Sequence, residues 1–517
     1  MKKRILVLSV AAALGGLSGS VLAKPQPQLT PGLAFNAAGV GHIVIVPYFS
    51  TQSGNSTLIN LVNTDTVNGK AVKIRFRGAS NSDDIFDFQL FMSPGDVWTA
   101  NVSRGADGVS RLTTADRSCT LPANVNQSFI TSRLNPDLAA ADLANETREG
   151  YVEIFTMADI PSSSVTSSVY AVTKHNTAGT ASCTATVLEG LTQGDTRLAL
   201  PTRGLMSNWT LINVPNTTTW AGEAAAIVAT DAAGIPGTGL NVFWPQTATP
   251  LTGAQIAANT SDAAFLESAV EAASYDLPDL STPYTSGTID PTRQANDLSF
   301  ALAARQIAGE FLSDPLIGAT TDWVVSKPTR RYYVAVDYSA TDPEDKLLST
   351  RNIDPNALYY SSKYAPADGG FADGNSIMGN AVNGGKTYQI CTQVTGVRFW
   401  NREELSPSSS GIVISPGQPA PAPSLCGEVS VLGVNSPVSP LGASVARFNL
   451  TLPGGLVDGW GLLTANNTVA GLNLGLPVLA RQFIKATNPA VAPGVSGTFG
   501  AAWAARRLQA GDPILAQ

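Results

Sequence analysis

One stretch, His42 to Val102, constrains the fold more than any other. It holds five short apolar runs separated by turn residues. His42-Ile43-Val44-Ile45-Val46-Pro47-Tyr48-Phe49 is almost continuously apolar, and Thr57 to Val62 follows a Ser/Gly/Asn turn. Asn68-Gly69, a strong hairpin dipeptide, leads into Val72-Lys73-Ile74-Arg75-Phe76-Arg77. In that run Val72, Ile74 and Phe76 point one way and Lys73, Arg75 and Arg77 the other. Phe86, Phe88, Leu90 and Met92 alternate with Asp87 and Gln89. After the turn Ser93-Pro94-Gly95-Asp96, Trp98, Ala100 and Val102 continue on one face. The pattern predicts an antiparallel sheet with one wet side, half of a β-sandwich.

The N-terminus reads as a targeting segment. Met1-Lys2-Lys3-Arg4 is basic, Ile5 to Leu17 is apolar and small, and Val21-Leu22-Ala23 is a small-residue cleavage site. Residues 1–23 are therefore expected to be a signal peptide on an exported chain that crosses no membrane. Charged residues make up 14% of the chain and the net charge is −7, against ~25% charged in ordinary domains. Nucleic acid, which needs basic patches, is excluded as a partner. The four cysteines, Cys119, Cys183, Cys391 and Cys426, suit disulfides in an exported chain. Three pairings are possible. Local loop closure favours Cys119–Cys183 and Cys391–Cys426.

Further strands are expected at Gly150–Phe155, Met206–Val214, Asp322–Val336, Thr387–Trp400, Val429–Val434, Ser444–Leu452, Gly459–Leu463 and Leu474–Ile484. Glu223–Thr230 fits strand or helix. The long region around Pro328 should be an edge or bulged strand. Helices are expected from Asn135-Pro136-Asp137 through Ala144, over Ser261–Tyr275, and over Asn296–Leu312. Leu112–Gln127, Pro366–Gly385 and Ser406–Ser424 read as loop. The fold class is mainly β, an antiparallel, immunoglobulin-like sandwich with a few inserted helices and long loops. Residues 24–200 are expected to form one β-sandwich domain. Residues 201–517 are expected to form a second β-rich region, with a helical insertion near 261–312, which could also complete the first sandwich.

Chemistry is sparse. The two histidines, His42 and His175, could each serve a Ser-His-Asp triad, but no G-x-S-x-G elbow accompanies them. Asp83, Asp84 and Asp87 cluster after Asn81-Ser82, and Asp368, Asp373 and Asn375 lie in a Gly-rich loop. Both clusters are loop-forming sequences that offer hard oxygen ligands for calcium. Glu403 and Glu404 are a further acidic pair. Of the eight tryptophans, those on predicted strands suit a core. Trp220 and Trp244, expected in loops, are the candidates for stacking on a sugar.

Val46-Pro47-Tyr48-Phe49, Gly54-Asn55-Ser56-Thr57, Arg75-Phe76-Arg77-Gly78 and Ser93-Pro94-Gly95-Asp96-Val97-Trp98 resemble an N-terminal sandwich of exported surface proteins of Gram-negative bacteria. Thr321-Asp322-Trp323-Val324-Val325 and Arg331-Tyr332-Tyr333-Val334 are similar to a later segment of that group. The resemblance implies a cell-surface, surface-layer-like protein and brings no catalytic residue with it. The expectation is a structural, non-enzymatic protein of the cell surface that self-associates into an oligomer or lattice, with calcium a possible ligand. The alternative is a secreted adhesin or carbohydrate binder directed at cell-envelope polysaccharide.

Overall fold

The computed structural model describes residues 32–231, 233–246, 254, 258–262, 277–285, 290–340, 347–350, 354–362, 375–378, 389–394, 396–404, 424–452, 456–465, 468–469, 472–492 and 495–509. The expected signal peptide, Asp368, Asp373 and most of the expected Ser261–Tyr275 helix lie outside these residues.

Twelve strands build the first two-sheet unit: β1 Gly32–Phe35, β2 Ile43–Ser50, β3 Asn55–Asn63, β4 Gly69–Gly78, β5 Asp84–Met92, β6 Val97–Arg104, β7 Ser110–Thr113, β8 Cys119–Leu121, β9 Glu149–Ile160, β10 Leu205–Asn213, β11 Thr218–Glu223 and β12 Ala225–Thr230. A seven-stranded sheet runs β1-β12-β2-β9-β4-β5-β8, and a five-stranded sheet runs β11-β10-β3-β6-β7. The five strands expected between His42 and Val102 all form. They do not share one sheet: β2, β4 and β5 enter the larger, β3 and β6 the smaller. The inner faces meet in an apolar core, where the Phe88 and Trp98 rings lie 5.7 Å apart.

Strands beyond residue 200 join the sheets of the first unit. β10 pairs with β3 from Leu205↔Asn63 to Asn213↔Asn55, and β12 pairs with β2 and β1. The first unit therefore extends to Thr230. Glu223–Thr230 resolves as strand. The expected loop Leu112–Gln127 contributes β8, which places Cys119 beside Phe91.

The second unit also has two main sheets. Its five-stranded sheet has the order Arg447–Leu450, Val429–Val434, Thr320–Ser326, Leu479–Ala492, Val495–Ala504. The four-stranded sheet has the order Gly396–Trp400, Asp458–Thr464, Gln306–Leu312, Arg506–Leu508. Trp323 and Phe311 both pack on Phe399 between the two, at 5.8 and 5.4 Å. A late strand closes on the first unit: Phe483 contacts the rings of Tyr48, Trp209 and Trp220.

Three sequence expectations are corrected here. Thr320–Ser326 is central, flanked by Val429–Val434 and Leu479–Ala492, so it is no edge strand. Pro328, which cannot donate to a ladder, lies just beyond its end. The helix expected over Asn296–Leu312 is instead Pro291–Leu302, and Gln306–Leu312 is a strand. Asp290 caps that helix by accepting from the Arg293 N–H, with Pro291 in its first turn. The strand carries Gly309 against Gln482, where a Cβ would lie 2.0 Å from the amide nitrogen. Finally, the helix near Asn135 begins later, at Ala140, and ends at Glu146.

Both expected disulfides form, Cys119–Cys183 and Cys391–Cys426. Such bonds belong to an oxidising, exported setting. Among the described residues no helix is long and apolar enough to cross a membrane.

Candidate functional site

Alternation in β4 predicts that Lys73, Arg75 and Arg77 face water. They are buried, as is Lys70. The outer face of the seven-stranded sheet is covered by chain that arrives much later, including residues 241–246, 258–262, 277–285 and 330–338. Isolated charges there would cost far more than folding provides, so each must be matched.

The matching is read directly from the register. Asp87, Arg75 and Glu153 lie side by side across β5, β4 and β9. Arg75 Nε is 3.0 Å from Asp84 Oδ2, and its Nη1 donates to the Pro278 carbonyl at 2.8 Å. Arg77 Nε meets Glu153 Oε1 at 2.6 Å, and its Nη2 lies 3.7 Å from Asp279. Lys70 Nζ is 2.6 Å from Asp159, and Lys73 pairs with Asp87. From the covering side, Arg331 pairs with Asp262 and donates to the Ser82 carbonyl at 2.9 Å. Arg330 Nε lies 2.7 Å from Glu428. Its Nη1 donates to the carbonyls of Ile390 and Gly427. Gly427 has φ +77°, and a Cβ there would lie 2.8 Å from the Ala79 carbonyl, so this close approach requires glycine.

This arrangement answers the first calcium expectation. Asp84 is held by Arg75 and Arg133, and Asp87 by Lys73. Asp83 accepts from the Tyr338 hydroxyl at 2.6 Å and lies 3.8 Å from Arg331. The positive charge that calcium would bring is supplied by side chains. Among the described residues no group of three or more His, Cys, Asp or Glu is arranged to hold a metal ion.

The histidines are also accounted for. His42 Nδ1 accepts from the Ala229 N–H at 3.1 Å, and Nε2 donates to the Gly237 carbonyl at 3.1 Å. Burial drives its pKa down to about 4, so the neutral ring is a core hydrogen-bonding group. Ser93 Oγ and Asp96 Oδ2 approach His175 at 3.0 and 3.6 Å, but both meet Nδ1. A triad needs its nucleophile and its carboxylate on opposite ring nitrogens. Glu403 is exposed and pairs with Arg402 at 2.7 Å.

The tryptophan expectation is reversed. Trp220 lies in β11, 1% exposed, with Nε1 donating to the Ile484 carbonyl at 2.9 Å, and Trp244 is likewise buried. Alternation around Trp220 is short, and its burial depends on the distant Phe483, so local sequence misplaced it. The tryptophans that reach solvent are Trp400, Trp460 and Trp503. Trp400 and Trp460 are cross-strand partners, stacked at 4.2 Å with 12° between planes.

The open surface of the first unit is the outer face of the five-stranded sheet. β10 presents Met206, Asn208, Thr210 and Ile212, and β3 presents Ser56, Leu58, Asn60 and Val62. β6 adds Val97, Thr99, Asn101 and Ser103. All are half-buried or exposed and none is charged. Asn208, Asn60 and Thr99 form one cross-strand row, and Thr210, Leu58 and Asn101 the next. Charge returns only on the flanking strands, at Glu223 and Arg111. A shallow trough of about 540 Å³ runs between β3, β6 and the segment after β7. This face was not singled out in the sequence; the signal for it is the absence of charge at alternate positions of three strands.

No protein-family model, curated protein or solved structure matches this chain.

Proposed function

We propose that this is a structural protein of the bacterial cell surface that self-associates, as in a surface layer, on an immunoglobulin-like sandwich scaffold. The uncharged face of β10, β3 and β6 is the observation that carries the reading. Facing copies would bring together Asn, Thr and aliphatic side chains without desolvating a charge, the main electrostatic obstacle to association. The two disulfides and the export-type N-terminus support an extracellular setting. The experiment is sedimentation velocity and electron microscopy of the purified chain across a concentration series, with and without calcium. Ordered assemblies that the pair Asn60→Lys and Thr99→Lys abolishes support the reading. A monomer throughout the series overturns it.

A second reading, an adhesin or carbohydrate-binding protein, is favoured by the stacked Trp400–Trp460 pair at the sheet surface. Aromatic faces bind sugars through apolar stacking. A glycan array probed with wild type and Trp460→Ala decides it. Signals lost in the variant support it, and a blank array sinks it.

A further inference from the structure

A cleft of about 1030 Å³ lies where the first and second units meet, between β1, β12, the Pro291–Leu302 helix and the last strands of the chain. Two half-buried arginines line it. Arg481 donates to the Glu223 carbonyl and lies 5.3 Å over the Trp209 ring. Arg507 donates to the Leu302 carbonyl at 2.9 Å and lies 4.3 Å over the Phe35 ring. Arg506, exposed, borders the same cleft.

These guanidiniums differ from those beneath the β4 face. There, Lys73, Arg75, Arg77, Arg330 and Arg331 each have a carboxylate within 4.0 Å. Among the described residues Arg481 and Arg507 have none within that distance. Glu223, which also lines the cleft, gives Arg481 its carbonyl as a hydrogen-bond acceptor, and its carboxylate acts on that guanidinium from beyond ion-pair distance. Each guanidinium uses one donor on backbone and one face on an aromatic ring, leaving further donors for the cleft. Partial withdrawal from water pulls both pKa values down to about 10, so both remain charged at neutral pH. Ring-backed guanidiniums with spare donors, lining one cleft, suit a planar or tetrahedral oxyanion. Phe35 and Phe300 supply an apolar wall beside them.

We propose that this cleft binds an organic anion, with its oxyanion held by Arg481 and Arg507 and its uncharged body against Phe35 and Phe300. The oxyanion could be the carboxylate of an acidic sugar or a phosphate ester. Titration calorimetry on the full chain at low ionic strength tests this, using glucuronate, glycerol phosphate and inorganic phosphate as probes and glucose as the uncharged control. At least one anion should bind saturably while glucose does not. Preference for glucuronate assigns a carboxylate ligand, and preference for glycerol phosphate assigns a phosphate ester. Arg481→Gln and Arg507→Gln should each weaken binding at least tenfold, and Arg402→Gln, at an exposed ion pair elsewhere, should leave it unchanged. If a glutamine variant fails to fold, Arg481→Lys and Arg507→Lys keep the charge without the fork and should still bind more weakly than wild type. The proposal is overturned if no anion binds. It is also overturned if binding is undiminished in the cleft variants, or if Arg402→Gln weakens it equally.

Discussion

The two sheets of the first unit turn opposite kinds of surface outward. The seven-stranded sheet carries Lys73, Arg75 and Arg77 on its outer side, yet that side is covered. The five-stranded sheet carries Asn, Thr, Ser and aliphatic residues, and that side is open. A polar stripe therefore does not identify the wet face of a sheet. Alternation reports two chemically distinct faces, and what lies beyond each depends on the rest of the chain.

The sharpest way to break this contrast is to unbalance the covered face. Arg77→Ala leaves Glu153 and Asp279 deprived of their nearest cation, and should cost about 3–5 kcal/mol in urea unfolding. A loss below ~1 kcal/mol would mean that water reaches this layer. Next comes the cover itself. The strands Ile390–Gln393 and Ser424–Cys426 are joined by Cys391–Cys426 and flank the carbonyls that receive Arg330. Cys391→Ser with Cys426→Ser should lower stability by about 2–4 kcal/mol and speed amide exchange in β4 more than in β3.

Protonation gives a smaller effect. Burial pushes Glu146, Asp297 and Asp322 up to about 7 from 4.5, 3.8 and 3.8. Between about pH 4 and pH 7 the folded state therefore holds protons that the unfolded chain has released, and stability from these groups falls as pH rises. His42 acts oppositely. Its folded pKa of about 4 lies below 6.5, so its contribution grows as pH rises from about 4 to 6.5. Glu146→Gln should flatten the fall and stabilise the protein at pH 8 by on the order of 1–3 kcal/mol. An unchanged pH profile of thermal unfolding would refute this. The smallest effect belongs to the open face. Asn60→Lys should change monomer stability by less than ~0.5 kcal/mol while reducing association in sedimentation. A large destabilisation would show that this face is covered too.

What could be read from sequence was local. The strands from Ile43 to Arg104 followed from alternation and turn residues only a few positions apart, and the disulfides from each pair closing a loop within its own segment. Sheet membership was not legible, because β3 and β4 are neighbours in sequence yet enter different sheets. The ion layer was half legible. Lys73, Arg75 and Arg77 alternate plainly, but the covering residues Asp262, Asp279 and Arg331 lie about 180 to 260 positions further on. The Asn296–Leu312 helix was misread because Leu298, Leu302, Ile307 and Phe311 nearly keep helical spacing. Pairing of Gln306–Leu312 with Asp458–Thr464 overrides that local preference. Trp220 and Trp244 failed for the same reason: burial is conferred by distant partners.

The covered ion layer also bears on how such a chain is made. Synthesis runs from the N-terminus, so β4, β5 and β9 exist before residues 262, 279 and 331 do. Until those arrive, the stripe of Lys73, Arg75 and Arg77 on the face that awaits its cover is nearly self-neutralised by Asp84, Asp87 and Glu153, beside Ile43, Ile45 and Phe155 on the same side. A half-finished molecule thus shows water a salt-like stripe beside an apolar one. The charged stripe can wait for its second half already neutral, whereas the apolar one is satisfied only when Tyr284 arrives.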